Sequence, residues 1–354
     1  MSTSYSTTLS KIDAKVNSIK KDKNDRATID QVLDPRTLIV LHKLVQNDKI
    51  DQIYGCVSTG KEANVYLAEG RCKDFSTGEM IAEGEPNKEF AIKIFKTSIL
   101  IFKDRERYVS GEFRFRSGHC KGNPRKMVKL WAEKEVRNLK RICMSGKIRA
   151  PWPYYLKNNV IAMEFIGHKG DAAPRLKDAV IGTEDPQEIV SLYAECVAMM
   201  RHLYQTCKLV HGDLSEYNLL YHDKQIWMID VSQSVEHDHP MALDFLRRDC
   251  AVLNDFFRRN NVFVLTTLRL FNYVTDLTLE ESRMDEVLGQ LLQESSKGYT
   301  EEEIQQDKVF EQVYIPRSLQ ELSHVEIERQ KKEGTENFYT QLTGLGGTMP
   351  EEDT

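Results

Sequence analysis

The chain has 354 residues, 40% apolar and 29% charged, with a formal net charge of −5. That fits a globular protein with one two-lobed catalytic domain and flanking segments, or two small domains. No run of about 18 apolar residues occurs, so no membrane span is expected, and Met1-Ser2-Thr3-Ser4-Tyr5 lacks the apolar core of a secretory signal. The seven cysteines are odd in number and have no metal-ligand spacing, which reads as reduced thiols in a cytosolic or nuclear protein. Charge is segregated: residues 119–149 are strongly basic and residues 279–354 strongly acidic. The basic block is either a solvated helix face or a surface for phosphate or RNA backbone.

Residues 1–30 are polar and rich in Ser, Thr and Lys, and are expected to be mobile. Asp34-Pro35 reads as an N-cap with proline in the first turn, opening a helix to about Val45. From Ile53 to Ile94 the pattern is strand-like, with strands around 55–57, 65–67 and 90–94 and a hairpin connection over 69–88. Residues 103–124 are charged and aperiodic and read as a mobile loop. A helix follows from about Arg125 to Cys143. Its stripe of Val128, Trp131, Leu139 and Ile142 carries Glu135 inward and leaves Glu133 outward.

Val160–Met163 is a strand, and Asp185-Pro186 caps a helix with Ile189, Leu192, Cys196, Met199 and Leu203 inward. Leu219–Tyr221 and Ile226–Ile229 form a short hairpin that brings Asp230 beside Asn218. Pro240 opens a further helix to about Arg258. Thr300/Glu303 and Ser318/Glu321 are capping boxes, and the chain after Gly334 reads as disordered.

The chemistry lies in His211-Gly212-Asp213-Leu214-Ser215-Glu216-Tyr217-Asn218 and in Ile229-Asp230. Phosphoryl transfer needs a phosphate clamp, metal ligands and a positioned nucleophile. Asp213 is the candidate to orient or deprotonate a hydroxyl or water. Asn218 and Asp230 offer the oxygen ligands that Mg²⁺ prefers. Lys93, on an Ala-Ile-Lys strand, can reach phosphates if Glu135 orients it. The order Lys93, Glu135, Asp213, Asn218, Asp230 is that of a protein kinase.

Ser58-Thr59-Gly60-Lys61-Glu62-Ala63-Asn64-Val65 stands where a glycine-rich phosphate loop belongs, with one glycine where three are usual. Gly55-x-x-x-x-Gly60-Lys61 also mimics a Walker loop, but Glu62 replaces the final Ser/Thr and a strand follows. His237-Asp238-His239 is a polar turn in preference to a zinc site. Asp249, on an inward helical stripe, reads as a buried anchor for the catalytic-loop backbone, and His211 as a packing residue.

Residues 58–66, 211–218 and 229–235 together resemble the RIO atypical protein kinases. Residues 109–116, 121–128 and 235–240 resemble that family's first branch. The resemblance implies an α+β fold: a trimmed bilobal protein-kinase-like fold, with an antiparallel sheet plus helix in the N-lobe and a mainly helical C-lobe. It implies an N-terminal helical element over 31–52, an N-lobe over 53–167, a C-lobe with C-terminal helices over 168–333, and a tail over 334–354. Expected ATP-binding residues are Ser58, Lys61, Val65, Lys93, Glu164 and Ile166, the last two matching the hinge that receives adenine. Asp213 is the expected proton acceptor, Asn218 and Asp230 the Mg²⁺ ligands, and Asp230 a phosphate acceptor. The resemblance further implies serine/threonine kinase and ATPase activity in late cytoplasmic maturation of the small ribosomal subunit. The partner would be the ribosomal precursor, RNA and protein, with neither membrane nor DNA.

Gly212 replaces the arginine that in a conventional kinase binds a phosphorylated activation loop, and no Ala-Pro-Glu segment follows. No activation-loop phosphoswitch is expected, and only a poor platform for extended peptides. The rival readings are a small-molecule phosphotransferase of the aminoglycoside or choline kinase type, and a nucleotide-binding assembly scaffold with little catalysis.

Overall fold

A computed structural model of the protein describes residues 33–75, 77–83, 85–97, 107–108, 123–182, 185–312 and 315. The expected 1–30 and 334–354 segments, the Ser318/Glu321 box and most of the 103–124 loop lie outside them.

Asp34 acts as its place before Pro35 predicts. Its Oδ1 accepts from the N–H groups of Arg36 and Thr37 at 3.0 and 2.8 Å, opening α1 (Pro35–Gln46). Proline is harmless there because first-turn N–H groups have no intrahelical partner. The strands β1 (Gln52–Thr59), β2 (Ala63–Gly70), β3 (Lys88–Phe95), β4 (Pro153–Lys157) and β5 (Val160–Glu164) make one antiparallel sheet in the order β1-β2-β3-β5-β4. The stretch 69–88 does join paired strands, with Gly70 opposite Lys88. Gly70 is needed for a close approach, since a Cβ there would lie 2.8 Å from the Lys49 carbonyl oxygen. A strand between Ala63 and Gly70 also excludes a Walker loop, which leads into a helix.

Alternation along β3 decides what faces the cleft. Phe90, Ile92 and Ile94 pack outward in one cluster with Val40, Leu41 and Leu44 of α1. Ala91 and Phe95 belong to the other cluster, beneath α2 (Pro124–Ser145), and Lys93 shares their face. Asn123 caps α2 through Oδ1, and Gly146 ends it at φ 66°, a left-handed turn that glycine adopts without strain. The side chain of Glu135 is 1% exposed, while that of Glu133 is 37% exposed and pairs with Lys129.

Four of the ten basic residues in the 119–149 block pair with acids from elsewhere. Arg125 pairs with Asp34, Arg141 with Glu236, Lys147 with Glu281 and Arg149 with Glu195. Lys134 is fully buried and is no part of any surface.

β6 (Gly167–His168) and β7 (Asp171–Ala172) form a small hairpin after β5. Asp185 Oδ1 accepts from Gln187 N–H at 2.9 Å at the start of α3 (Gln187–Gln205), which buries Leu192, Cys196, Met199 and Leu203; Ile189 is half-buried. β8 (Leu209–Val210) pairs with β11 (Val235–Glu236), and β9 (Leu219–His222) with β10 (Gln225–Met228) as the expected hairpin. α4 (Ala242–Arg259) starts beyond the expected Pro240, because His239 Nδ1 takes the Met241 N–H at 3.0 Å in a preceding turn. α5 (Thr267–Thr275), α6 (Met284–Ser295) and α7 (Glu301–Gln312) complete the C-lobe. Thr300 and Glu303 form a reciprocal capping box, Thr300 N–H to Oε2 at 2.8 Å and Glu303 N–H to Oγ1 at 3.2 Å. The result is the expected α+β, kinase-like architecture. No helix among the described residues is long and apolar enough to cross a membrane.

Candidate functional site

The cleft between the lobes collects the five residues singled out by their order in the chain. Lys93 Nζ donates to Glu135 Oε1 at 2.6 Å and to Asp230 Oδ1 at 3.2 Å. The Lys93 side chain is 8% exposed, whereas that of Asp230 is 41% exposed. Burial works against the Lys93 charge, but Asp230 and Glu135 beside it outweigh that and hold its pKa above the ordinary value. Burial pushes the Glu135 carboxyl up, against the pull of Lys93. Burial also opposes ionisation of Asp230, yet Lys93, His211 and the Ser232 hydroxyl together hold it low. Asp230 therefore stays a carboxylate beside Lys93.

Asp230 sits at φ 58°, in the left-handed region, immediately after the β9–β10 hairpin. The Ile229 N–H donates to the Asn218 carbonyl at 3.0 Å, which fixes Asp230 beside Asn218 as expected. His211 is buried and donates from Nε2 to the Ile229 carbonyl at 3.1 Å, so it packs and orders the loop. Asn218 Nδ2 donates to the Asp213 carbonyl at 2.8 Å and to Asp213 Oδ2 at 3.3 Å. With its amide nitrogen thus committed, its Oδ1 is the atom left for another partner. Partial removal of water raises the Asp213 pKa above the usual aspartate value, partly opposed by His211.

Asp249 fulfils the anchor expectation. Its Oδ2 accepts from Gly212 N–H at 2.8 Å and its Oδ1 from Leu214 N–H at 3.0 Å, so it grips both sides of Asp213. Burial pushes its carboxyl up to about 6, with His211 pulling the other way. Gly212 has φ 79°, a conformation that strains any residue with a Cβ. The arginine usual at this place is thus disfavoured by backbone shape as well as absent from the sequence.

Ser58, near the end of β1, accepts at Oγ from Arg175 Nη2 at 2.9 Å, a contact across the cleft. Lys61 is exposed at the β1–β2 turn. Val65 is half-buried and opposes both Ser58 and Lys93 in the sheet. Glu164 ends β5, and its carboxylate accepts from Trp152 N–H at 3.2 Å. The Ile166 carbonyl accepts from Ala173 N–H at 3.0 Å, which pins the chain where the lobes join. The sequence reading missed Arg175 and Lys96, whose Nζ donates to the Gly60 carbonyl at 2.7 Å and steadies the phosphate-loop turn. Both contacts link segments far apart in sequence, and no local pattern announces them.

The Asp230 carboxylate, held low in pKa, and the Asn218 amide oxygen are donors of the kind a hard divalent ion takes. The RIO domain, as a family, matches residues 65–270. The chain is 50% identical over 329 residues to "Serine/threonine-protein kinase rio1" of Dictyostelium discoideum, covering 92% of this chain and 54% of that protein. It is 50% identical over 310 residues to "Serine/threonine-protein kinase RIO1" of Homo sapiens, covering 86% of this chain and 51% of that protein. A crystal structure of the Rio2 kinase from Chaetomium thermophilum is similar at a TM-score of 0.48 and 20% identity, over 73% of this chain and 77% of that one. The chain spans about half the length of the curated relatives it matches. With a family match over more than half its residues and such identities to those relatives, the chain belongs to the RIO family.

Proposed function

We propose that the chain is a Mg-ATP-dependent serine/threonine kinase with ATPase activity. The observation that carries this is Lys93 Nζ, in contact with Glu135 and Asp230 together, beside a loop that holds Asp213 and Asn218. Lys93, oriented by Glu135, meets the phosphates. Ser58, Lys61 and Val65 line the phosphate-loop side, and Glu164 and Ile166 offer backbone groups to adenine. Asn218 and Asp230 hold Mg²⁺, which when bound neutralises phosphate charge. Asp213 accepts the proton of the attacking hydroxyl or water. Its raised pKa makes it a better base than an ordinary aspartate.

Asp230 is half open to the cleft and ionised, so it is also placed to accept the phosphoryl group itself, giving an aspartyl-phosphate. This chemistry acts in late cytoplasmic maturation of the small ribosomal subunit, with nucleotide state governing release from the precursor particle; the support is likeness to the first branch of the family. Purified chain should turn over ATP or phosphorylate itself only with Mg²⁺, and Asp213→Ala should abolish both. Activity unchanged in that variant would end the reading. An acid-stable, hydroxylamine-labile adduct lost in Asp230→Ala supports the aspartyl-phosphate; phosphoserine and phosphothreonine alone would count against it. Trapping of Asp230→Ala on small-subunit precursors in ATP-containing gradients tests the ribosomal role.

A further inference from the structure

Tyr108, in the charged stretch that the sequence marks as a loop, is only 4% exposed. Its carbonyl accepts from the fully buried Lys134 Nζ at 2.7 Å. Its ring stacks on Phe245 of α4, with centroids 4.9 Å apart and planes at 22°. The same ring lies over Gly212: a Cβ built there would meet Tyr108 Cε1 at 3.5 Å. Lys134 adjoins Glu135, the partner of Lys93, and Gly212 adjoins Asp213. One residue therefore touches the helix of the phosphate clamp and the loop of the proposed base.

We propose that Tyr108 is a positioning residue that locks the 212–214 loop against α2, packing over residue 212, the place in the sequence where a conventional kinase has an arginine. A phosphorylated activation loop meeting that arginine couples clamp to catalytic loop only after modification. Here the coupling is built from buried contacts: a flat ring on a glycine, and a buried ammonium on a carbonyl. It requires no phosphate and is present whenever Tyr108 is docked. The Gly212 backbone and the Tyr108 ring act together: the ring sits within van der Waals reach of position 212, whose φ of 79° favours glycine.

This inference rests on the kinase reading for its catalytic consequence, so its test has a readout independent of catalysis. Hydrogen exchange over residues 211–218 is measured without nucleotide for wild type, Y108F and Y108A, using the full chain. Local opening of a loop that loses its cover speeds exchange, and about ten-fold faster exchange is expected in Y108A, with Y108F as wild type. In ATP turnover, Y108A should lose about ten-fold or more in kcat with ATP KM nearly unchanged, because Asp213 is misplaced while the nucleotide contacts remain. Should Y108A fail to fold, Y108L keeps apolar volume without a flat ring and carries the same expectation. Unchanged exchange in Y108A or Y108L overturns the proposal, as does an equal loss in Y108F. Faster exchange in Y108A together with inactive wild type would sustain the strap and count against the kinase reading alone.

Discussion

Asp249 and Gly212 are joined at 2.8 Å, carboxylate to backbone N–H, and the second oxygen of Asp249 takes the Leu214 N–H at 3.0 Å. Asp213 therefore sits on a peptide held from both sides. A carboxylate offers two acceptors in one plane, which neither amide nor alcohol can match. In Asp249→Ala, both buried donors lose their partner, at about 1–3 kcal/mol for each group left unsatisfied. We expect a lower urea midpoint and a fall in kcat larger than any change in ATP KM. Wild-type kcat in a folded Asp249→Ala chain would show that the anchor is dispensable.

The same carboxyl makes stability depend on pH. Its folded-state pKa is pushed up to about 6 by burial, above the unfolded value near that of a free aspartate. Between those values the folded chain binds the extra proton, so this group favours folding at low pH and loses that contribution as pH rises through about 6. Relative to Asp249→Asn, which cannot titrate, wild type should lose stability between about pH 4 and 6. Paired urea titrations across that range check the sign; a difference that grows with pH contradicts it.

Asp213 must be ionised to accept a proton, and loss of water raises its pKa. Activity should therefore rise with pH along an acid limb that lies above the range of an ordinary aspartate. A kcat profile flat from pH 4 upward would remove Asp213 from that role.

Lys93 and Glu135 are buried together, so removing Lys93 takes the cation from Glu135, whereas removing Glu135 leaves Lys93 still paired with Asp230. Lys93→Met takes the cation from Glu135, whose carboxyl is already pushed up to about 7 by burial, so its pKa rises further and the chain loses stability, more at pH 8 than at pH 5. Glu135→Gln keeps an acceptor for Lys93 and should be milder in stability, though low in activity. Thermal melts of both variants at pH 5 and pH 8 separate these cases.

Arg175 and Ser58 close the cleft from opposite sides at 2.9 Å. Ser58→Ala and Arg175→Ala should show a coupling of about 0.5–1.5 kcal/mol in nucleotide-free stability, the worth of one hydrogen bond. Additive effects would mean that the contact contributes nothing.

Legibility in the sequence followed the range of the interaction. Glu135 was readable because a helix repeats every 3.6 residues and carries its carboxylate onto the apolar stripe. Lys93 was readable because its strand alternates. Asp249 was readable because an acid on a buried stripe needs a reason to be there. β4 was missed: Trp152-Pro153 breaks the strand pattern, and only the edge position in the sheet makes a proline acceptable. Tyr108, Lys134, Lys96 and Arg175 were missed because their partners are 26 or more residues away and no period links them. Some of the acids that pair with the basic block likewise come from distant elements.

The left-handed backbone at residue 230 favours the shorter acid. Of the two acidic residues, only aspartate visits that conformation with any ease, because its short side chain can bond locally; glutamate has no such relief. Asp230→Glu would preserve charge and still be disfavoured twice, once by the turn and once by a carboxylate carried a methylene too far from Lys93. The hairpin thus favours aspartate over glutamate at this point of the cleft before any ligand is considered.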